Sequence, residues 1–207
     1  MSIDRSLGMK QICRELLNKG IDLVNLDALE VFAREGDWQT FVYSGKVKSL
    51  TAWEINREFE AGLRRNLPKA KVEIVDSVEK LKNYINGKFG FIVIDNPQNT
   101  FGKNNEYCEH FDILPNINNV IEKEALVIFN VNSEPFDLEN YPIWKKRREE
   151  FYKITDTSKL SLFFLMNFYR NYFDKEGFDT GFIFSIFREE CKPLSYLHYI
   201  VIWLIKR

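Results

Sequence analysis

Four acidic residues, Glu30, Glu54, Asp76 and Asp95, each close a short, largely apolar run. The runs read DALEVFAREG (27–36), SLTAWEIN (49–56), KVEIVDS (71–77) and FGFIVIDNPQ (89–98). A carboxylate at a strand end can accept hydrogen bonds from the hydroxyl or amino groups of a ligand, or it can cap the helix that follows. One such acid asks for no ligand. Four in one sheet predict a site for a molecule carrying several hydroxyl or amino groups. Other chemistries find less support. His110 and His198 are isolated and read as core histidines. Cys13, Cys108 and Cys191 form no CxxC pair and no metal spacing, so reduced thiols are expected. No Ser-His-Asp, P-loop or zinc pattern occurs.

The elements that must position the acids follow from periodicity. Helical spacing separates the four runs, and 125–130 (ALVIFN) reads as a fifth buried strand. Such alternation predicts a parallel sheet covered on both faces, with ligands at the carboxyl ends of its strands. A helix is expected over 9–19, stopped by Gly20. Others are expected over 37–44 behind an Asp37 cap, over 56–66 before Pro68, over 77–86, and after Pro115 within 109–123. The stretch 96–105 is too polar for a strand and reads as a loop. A long aromatic helix is expected over 157–173, opened by Asp156, Thr157 and Ser158. The runs 180–187 and 195–206 finish the chain, and their short connection through 191–193 requires antiparallel pairing. Both alternating sets of 195–206 are apolar, which predicts a central strand.

Composition sets the bounds. A length of 207 residues with 45% hydrophobic content suits one α/β core. A formal net charge of −1 supplies no global field toward nucleic acid or anionic membrane. The opening MSIDRSLGMKQ lacks the apolar core of a signal peptide, and the apolar tract 196–205 is about half of a membrane span. The expectation is a soluble cytoplasmic protein.

Five parallel strands followed by a hairpin with a buried last strand resemble the class I S-adenosylmethionine-dependent methyltransferase fold, over roughly 26–207. In that Rossmann-like α/β fold the sheet is mostly parallel, helices cover both faces, and the C-terminal strand inserts antiparallel beside the fifth. The family's first motif often reads D-L-F-A-G-T-G. Here EVFAREG (30–36) keeps the acid, the Phe-Ala pair and the last glycine, with Arg34 and Glu35 where the family has glycine and a small residue. Glu54 is similar to the acid that accepts both ribose hydroxyls, and Asp76-Ser77 to the acid that faces the adenine amino group. DNPQ (95–98) is similar to the [D/N]-P-P-[aromatic] of amino methyltransferases at Asp95 and Pro97. Asn96 replaces a proline there and Gln98 the aromatic, for which Phe101 could substitute.

The resemblance implies S-adenosylmethionine as cofactor, bound by Glu30, Phe32, Ala33, Gly36, Glu54, Ile55, Asp76 and Ser77, with Asp95 and Pro97 at the acceptor. It implies one methyltransferase-like domain over 1–207, with a helical extension over 1–25 and an insert over 133–156. The acceptor is left open between a nucleic-acid base and a small molecule. A non-catalytic binding or assembly module of the same fold is the alternative. Comparison with catechol-type O-methyltransferases aligns Asp95 and Asn130 but puts Phe129 where a second metal-binding Asp belongs, so no metal is expected. The basic segment 144–153 reads either as a solvated helix face or as phosphate contacts from Lys145, Lys146, Arg147 and Arg148.

Overall fold

The structure is a computed structural model that describes residues 4–189 and 196–207. Its strands in chain order are β1 (Asp27–Glu30), β2 (Ser49–Glu54), β3 (Lys71–Ile74), β4 (Phe91–Ile94), β5 (Thr100–Phe101), β6 (Tyr107–Cys108), β7 (Glu124–Asn132), β8 (Phe178–Phe187) and β9 (Leu197–Lys206). Among the described residues six α-helices accompany them: α1 (Leu7–Asn18), α2 (Gln39–Tyr43), α3 (Glu60–Asn66), α4 (Ser77–Lys82), α5 (Pro142–Tyr152) and α6 (Leu162–Lys175). Seven strands form one sheet in the order β3-β2-β1-β4-β7-β9-β8. The first five run parallel, while β9 pairs antiparallel with both β7 and β8. The two-sided apolar pattern of β9 thus has its cause: Leu197 to Ile202 are all buried between two strands and two helical layers. The connection 191–193 and the expected strand start at Ser195 lie outside the described residues.

Alternation along each strand feeds two cores. In β4, Phe91 and Val93 join Ala28, Ala52, Ile128 and Tyr199 under Met9, Ile12 and Leu16 of α1, Tyr43 of α2 and Leu63 of α3. Ile92 and Ile94 join Leu29, Trp53, Val127 and Phe129 under α4, α5 and α6. In α6, Leu165, Tyr169 and Phe173 recur every fourth residue and are fully buried, each contributing about 1.5–3 kcal/mol of apolar burial.

Several boundaries differ from expectation, each for a local reason. Helix α2 begins two residues after Asp37, which makes no cap; Trp38 holds that place without a side-chain bond. Ser161, whose hydroxyl accepts the Phe164 amide, opens α6, while Asp156 turns back on Ser158. The stretch after Pro115 winds as a 3-10 helix over Leu114–Val120 rather than an α-helix. The polar stretch 96–105 contains β5, which pairs with β6 in a small hairpin. Left-handed Asn105 (φ +54°) and Gly102 (φ +90°) make its turn, a signal that composition alone hides.

The basic segment forms α5, and its charges turn to protein partners. Lys145 pairs with Glu139 at 2.7 Å and Arg147 with both oxygens of Asp112 at 2.8 Å. Lys146 lies 3.8 Å from Glu150. Arg148 is fully buried against Glu109 at 2.6 Å. The four cations therefore share no single face: Arg148 is buried, Lys145 and Arg147 are half-buried against carboxylates, and Lys146 is exposed to solvent.

The turn after β1 needs glycine at one place. Gly36 has φ +68°, and a Cβ there would lie 2.6 Å from Leu67 Cδ1. Gly36→Ala is expected to cost about 1–3 kcal/mol in denaturant unfolding, from backbone strain and overpacking together. A loss below about 0.5 kcal/mol would show that α3 yields freely.

Candidate active site

The carboxyl ends of β1 to β4 open onto a cavity of about 760 Å³, a size common to small-molecule sites. Phe32, Ala33, Glu54, Ile55, Asp76, Ser77, Asp95 and Pro97 all line it. Eight of the ten residues singled out from sequence thus meet at one place. The other two, Glu30 and Gly36, lie off its wall.

Glu54 ends β2 with both oxygens toward backbone donors. The Arg34 amide donates to Oε2 and the Asn56 amide to Oε1, each at 2.7 Å. Each oxygen keeps further acceptor capacity, so a pair of hydroxyls can still be held. The Arg34 bond also explains how the loop keeps its shape without a glycine. Arg34 adopts φ +49° and Gly36 φ +68°, so the left-handed geometry persists with a side chain added.

Asp76 carries out the capping role. Its Oδ1 accepts the amides of Val78 and Glu79 at 2.9 and 3.1 Å, and its Oδ2 accepts from the Tyr107 hydroxyl at 3.3 Å. Ser77 lines the cavity, yet its hydroxyl donates to the Val31 carbonyl at 2.5 Å. Glu30 is fully buried and accepts hydroxyl bonds from Thr40 at 3.0 Å and from Tyr43. Burial pushes its carboxyl up to about 8, the Tyr43 bond offsets part of that rise, and the Asp95 charge adds to it. Glu30 is therefore a buried acid whose ionisation the fold disfavours, not a carboxylate facing a ligand.

At the far end Asp95 is held by a residue that sequence reasoning missed. Arg188, 4% exposed, donates Nη1 to Asp95 Oδ1 and to Asn130 Oδ1, each at 2.7 Å. The Asn130 amide also donates to Asp95 Oδ1. Arg188 lies 93 positions from Asp95 and just past β8, so only the strand order brings them together. Beside them Asn96 Oδ1 and both polar atoms of Gln98 are buried without a hydrogen-bond partner among the described residues. Such groups cost about 1–3 kcal/mol each unless a ligand or water meets them. The hairpin adds Phe101 and Tyr107 to the wall, with Phe101 edge-on to Phe32 at 5.5 Å. Trp38 and Phe59 complete an aromatic lining that no motif announces.

No protein-family model matches the chain, and no curated protein sequence matches it. Solved structures do. The TYW2 protein of M. jannaschii, solved in complex with AdoMet, superposes with a TM-score of 0.58 at 12% identity, covering 98% of this chain and 78% of that one. The N-methyltransferase NodS from Bradyrhizobium japonicum WM9 gives 0.57 at 11% identity, covering 96% and 93%. The tRNA m1G37 methyltransferase of M. jannaschii gives 0.53 at 11% identity, covering 96% of this chain and 50% of its own. Identities this low establish the fold, which is the Rossmann-like fold of S-adenosylmethionine-dependent methyltransferases.

Proposed function

We propose that this chain binds S-adenosylmethionine in the cavity above β1 to β4 and transfers its methyl group to an acceptor held beside Asp95 and Pro97. The observation that carries the reading is Glu54: a carboxylate at the β2 end, fixed by the Arg34 and Asn56 amides and open to two further hydroxyls. The cavity volume and the aromatic rings at both ends fit an adenosine with a side chain. Bound there, the cofactor supplies an electrophilic sulfonium methyl for in-line displacement.

What this chain supplies is position and exclusion of water. Phe32, Phe101 and Tyr107 wall the cavity with rings, and the Arg188–Asn130 clamp fixes Asp95 in one orientation. Both clamp contacts fall on Oδ1, so Oδ2 is the oxygen assigned to a hydrogen of the acceptor. The unpaired Asn96 Oδ1 and the unpaired amide of Gln98 complete that end as hydrogen-bonding groups for an acceptor of either class, nucleic-acid base or small molecule.

Glu54→Ala tests the reading. Removing a charged acceptor of two hydroxyls is expected to weaken S-adenosylmethionine binding by about 2–4 kcal/mol in calorimetry, with the fold intact. Equal affinity in the two proteins would remove Glu54 from the site. The second reading, a non-catalytic module of the same fold, draws support from the Asp95–Arg188 pairing and from the commitment of Asp76 to its cap. Wild-type protein that binds no S-adenosylmethionine would decide for it.

A further inference from the structure

Arg34 stands where a glycine turn would carry no side chain, and the backbone geometry there is unchanged in kind. What the residue adds is a guanidinium on the cavity wall. It lies over the ring of Trp38 at 4.6 Å and over Phe59 at 5.6 Å, and all three residues line the cavity. Among the described residues no side-chain hydrogen bond or ion pair engages that guanidinium. Arg5 lies over the same Trp38 ring at 4.6 Å and adds positive charge nearby. A guanidinium resting against two aromatic rings, with no side-chain hydrogen bond of its own among the described residues, can serve as an anion receptor.

The surroundings limit which anion it would take. Asp37, Glu54, Asp76 and Asp95 line the same cavity and would repel a polyanion such as a triphosphate. Arg188 is already occupied by Asp95 and Asn130. S-Adenosylmethionine carries a sulfonium, an ammonium and one anionic group, the carboxylate of its methionine tail. The Arg34 amide is bonded to Glu54, the acceptor assigned to the ribose, so the arginine side chain starts beside the sugar from which that tail departs.

We propose that Arg34 binds the methionine carboxylate of the cofactor, an inference that rests on the reading of the cavity as an S-adenosylmethionine site. The substitution that removes the glycine from the loop thereby gives the site a specific contact.

The test is calorimetric, on the full chain. Binding of S-adenosylmethionine is compared with binding of decarboxylated S-adenosylmethionine, which keeps the adenosine, sulfonium and ammonium and lacks only the carboxylate. Wild type is expected to prefer the carboxylate-bearing ligand by about tenfold to a hundredfold. Arg34→Ala is expected to erase that preference while binding the decarboxylated ligand as wild type does, which also shows that the site is intact. Arg34→Lys, which keeps the charge without the planar fork, is expected to keep part of the preference. Lys103→Ala, changing another cation of the lining, is expected to keep all of it. A preference that survives Arg34→Ala overturns the inference, as does one abolished by Lys103→Ala instead. Tighter S-adenosylmethionine binding by Arg34→Ala would overturn it too, showing that the guanidinium obstructs the site. Wild type that binds neither ligand overturns the cofactor reading, and the inference falls with it.

Discussion

Glu109→Ala is expected to lower the unfolding free energy by about 3–5 kcal/mol, with the denaturant m-value unchanged. The Glu109 and Arg148 side chains are both 0% exposed, and Arg148 Nη1 reaches Glu109 Oε1 at 2.6 Å. The same oxygen accepts the Trp144 indole N–H at 2.7 Å. Without Glu109 the guanidinium would keep only the carbonyls of Asn132 at 2.8 Å and Thr157 at 3.3 Å, which carry no compensating charge. Glu109 has φ +44°, but alanine shares that strain, so the loss reports the ion pair rather than the backbone. The double variant Glu109→Leu with Arg148→Met separates the two causes, because replacing a whole buried pair by apolar groups is often near neutral. Recovery of most of the loss is expected. A single-variant loss below about 1 kcal/mol would mean that water reaches Arg148 in solution. Since Glu109 directly follows β6, the same substitution should loosen the hairpin that walls the cavity.

Glu30→Gln is expected to change how stability depends on pH. The Glu30 carboxyl is pushed up to about 8 from its ordinary 4.5, chiefly by burial. Between those values the folded chain retains a proton that the unfolded chain has released, so the stability of the wild type falls as pH rises through the window. The whole fall is on the order of 3–5 kcal/mol. Glutamine keeps an acceptor for the Thr40 and Tyr43 hydroxyls and cannot ionise, so it removes the fall. His110 acts in the opposite sense: burial holds it down to about 3, and its contribution is lost as pH falls from 6.5 toward that value. The useful quantity is therefore the difference between variant and wild type, in which His110 cancels. That difference should be small near pH 4.5 and grow in favour of glutamine up to about pH 8. Parallel curves would show Glu30 ionised within the fold.

The sheet was legible because its signals are local. Near-continuous apolar strands marked the parallel core, and two apolar sets in one run marked β9 as central. The cavity wall was legible for the same reason, since strand ends are read from the strands. What escaped depended on distant partners. A run of Lys, Arg and Glu reads as solvated until Glu109, 39 positions before Arg148, is brought against it. Arg188 likewise gains its place only through the insertion of β9, which sets β8 two strands from β7. Glu30 and Glu54 look equivalent in sequence. The hydroxyls of Thr40 and Tyr43 draw one inward, and the loop amides of Arg34 and Asn56 hold the other at the wall.

The position of β9 also governs the order of events when the chain is made. It follows all the other strands in sequence yet pairs with β7 over nine positions and with β8 along nearly its full length. Until it emerges from the ribosome, β7 offers a long edge rich in Val, Ile, Leu and Phe, with unpaired amides and carbonyls. Strands β1 to β4 can assemble earlier, but the halves of the sheet on either side of β9 cannot join. A nascent chain at that stage exposes an unpaired edge of the kind that favours aggregation, and the pairing that covers it waits on β9.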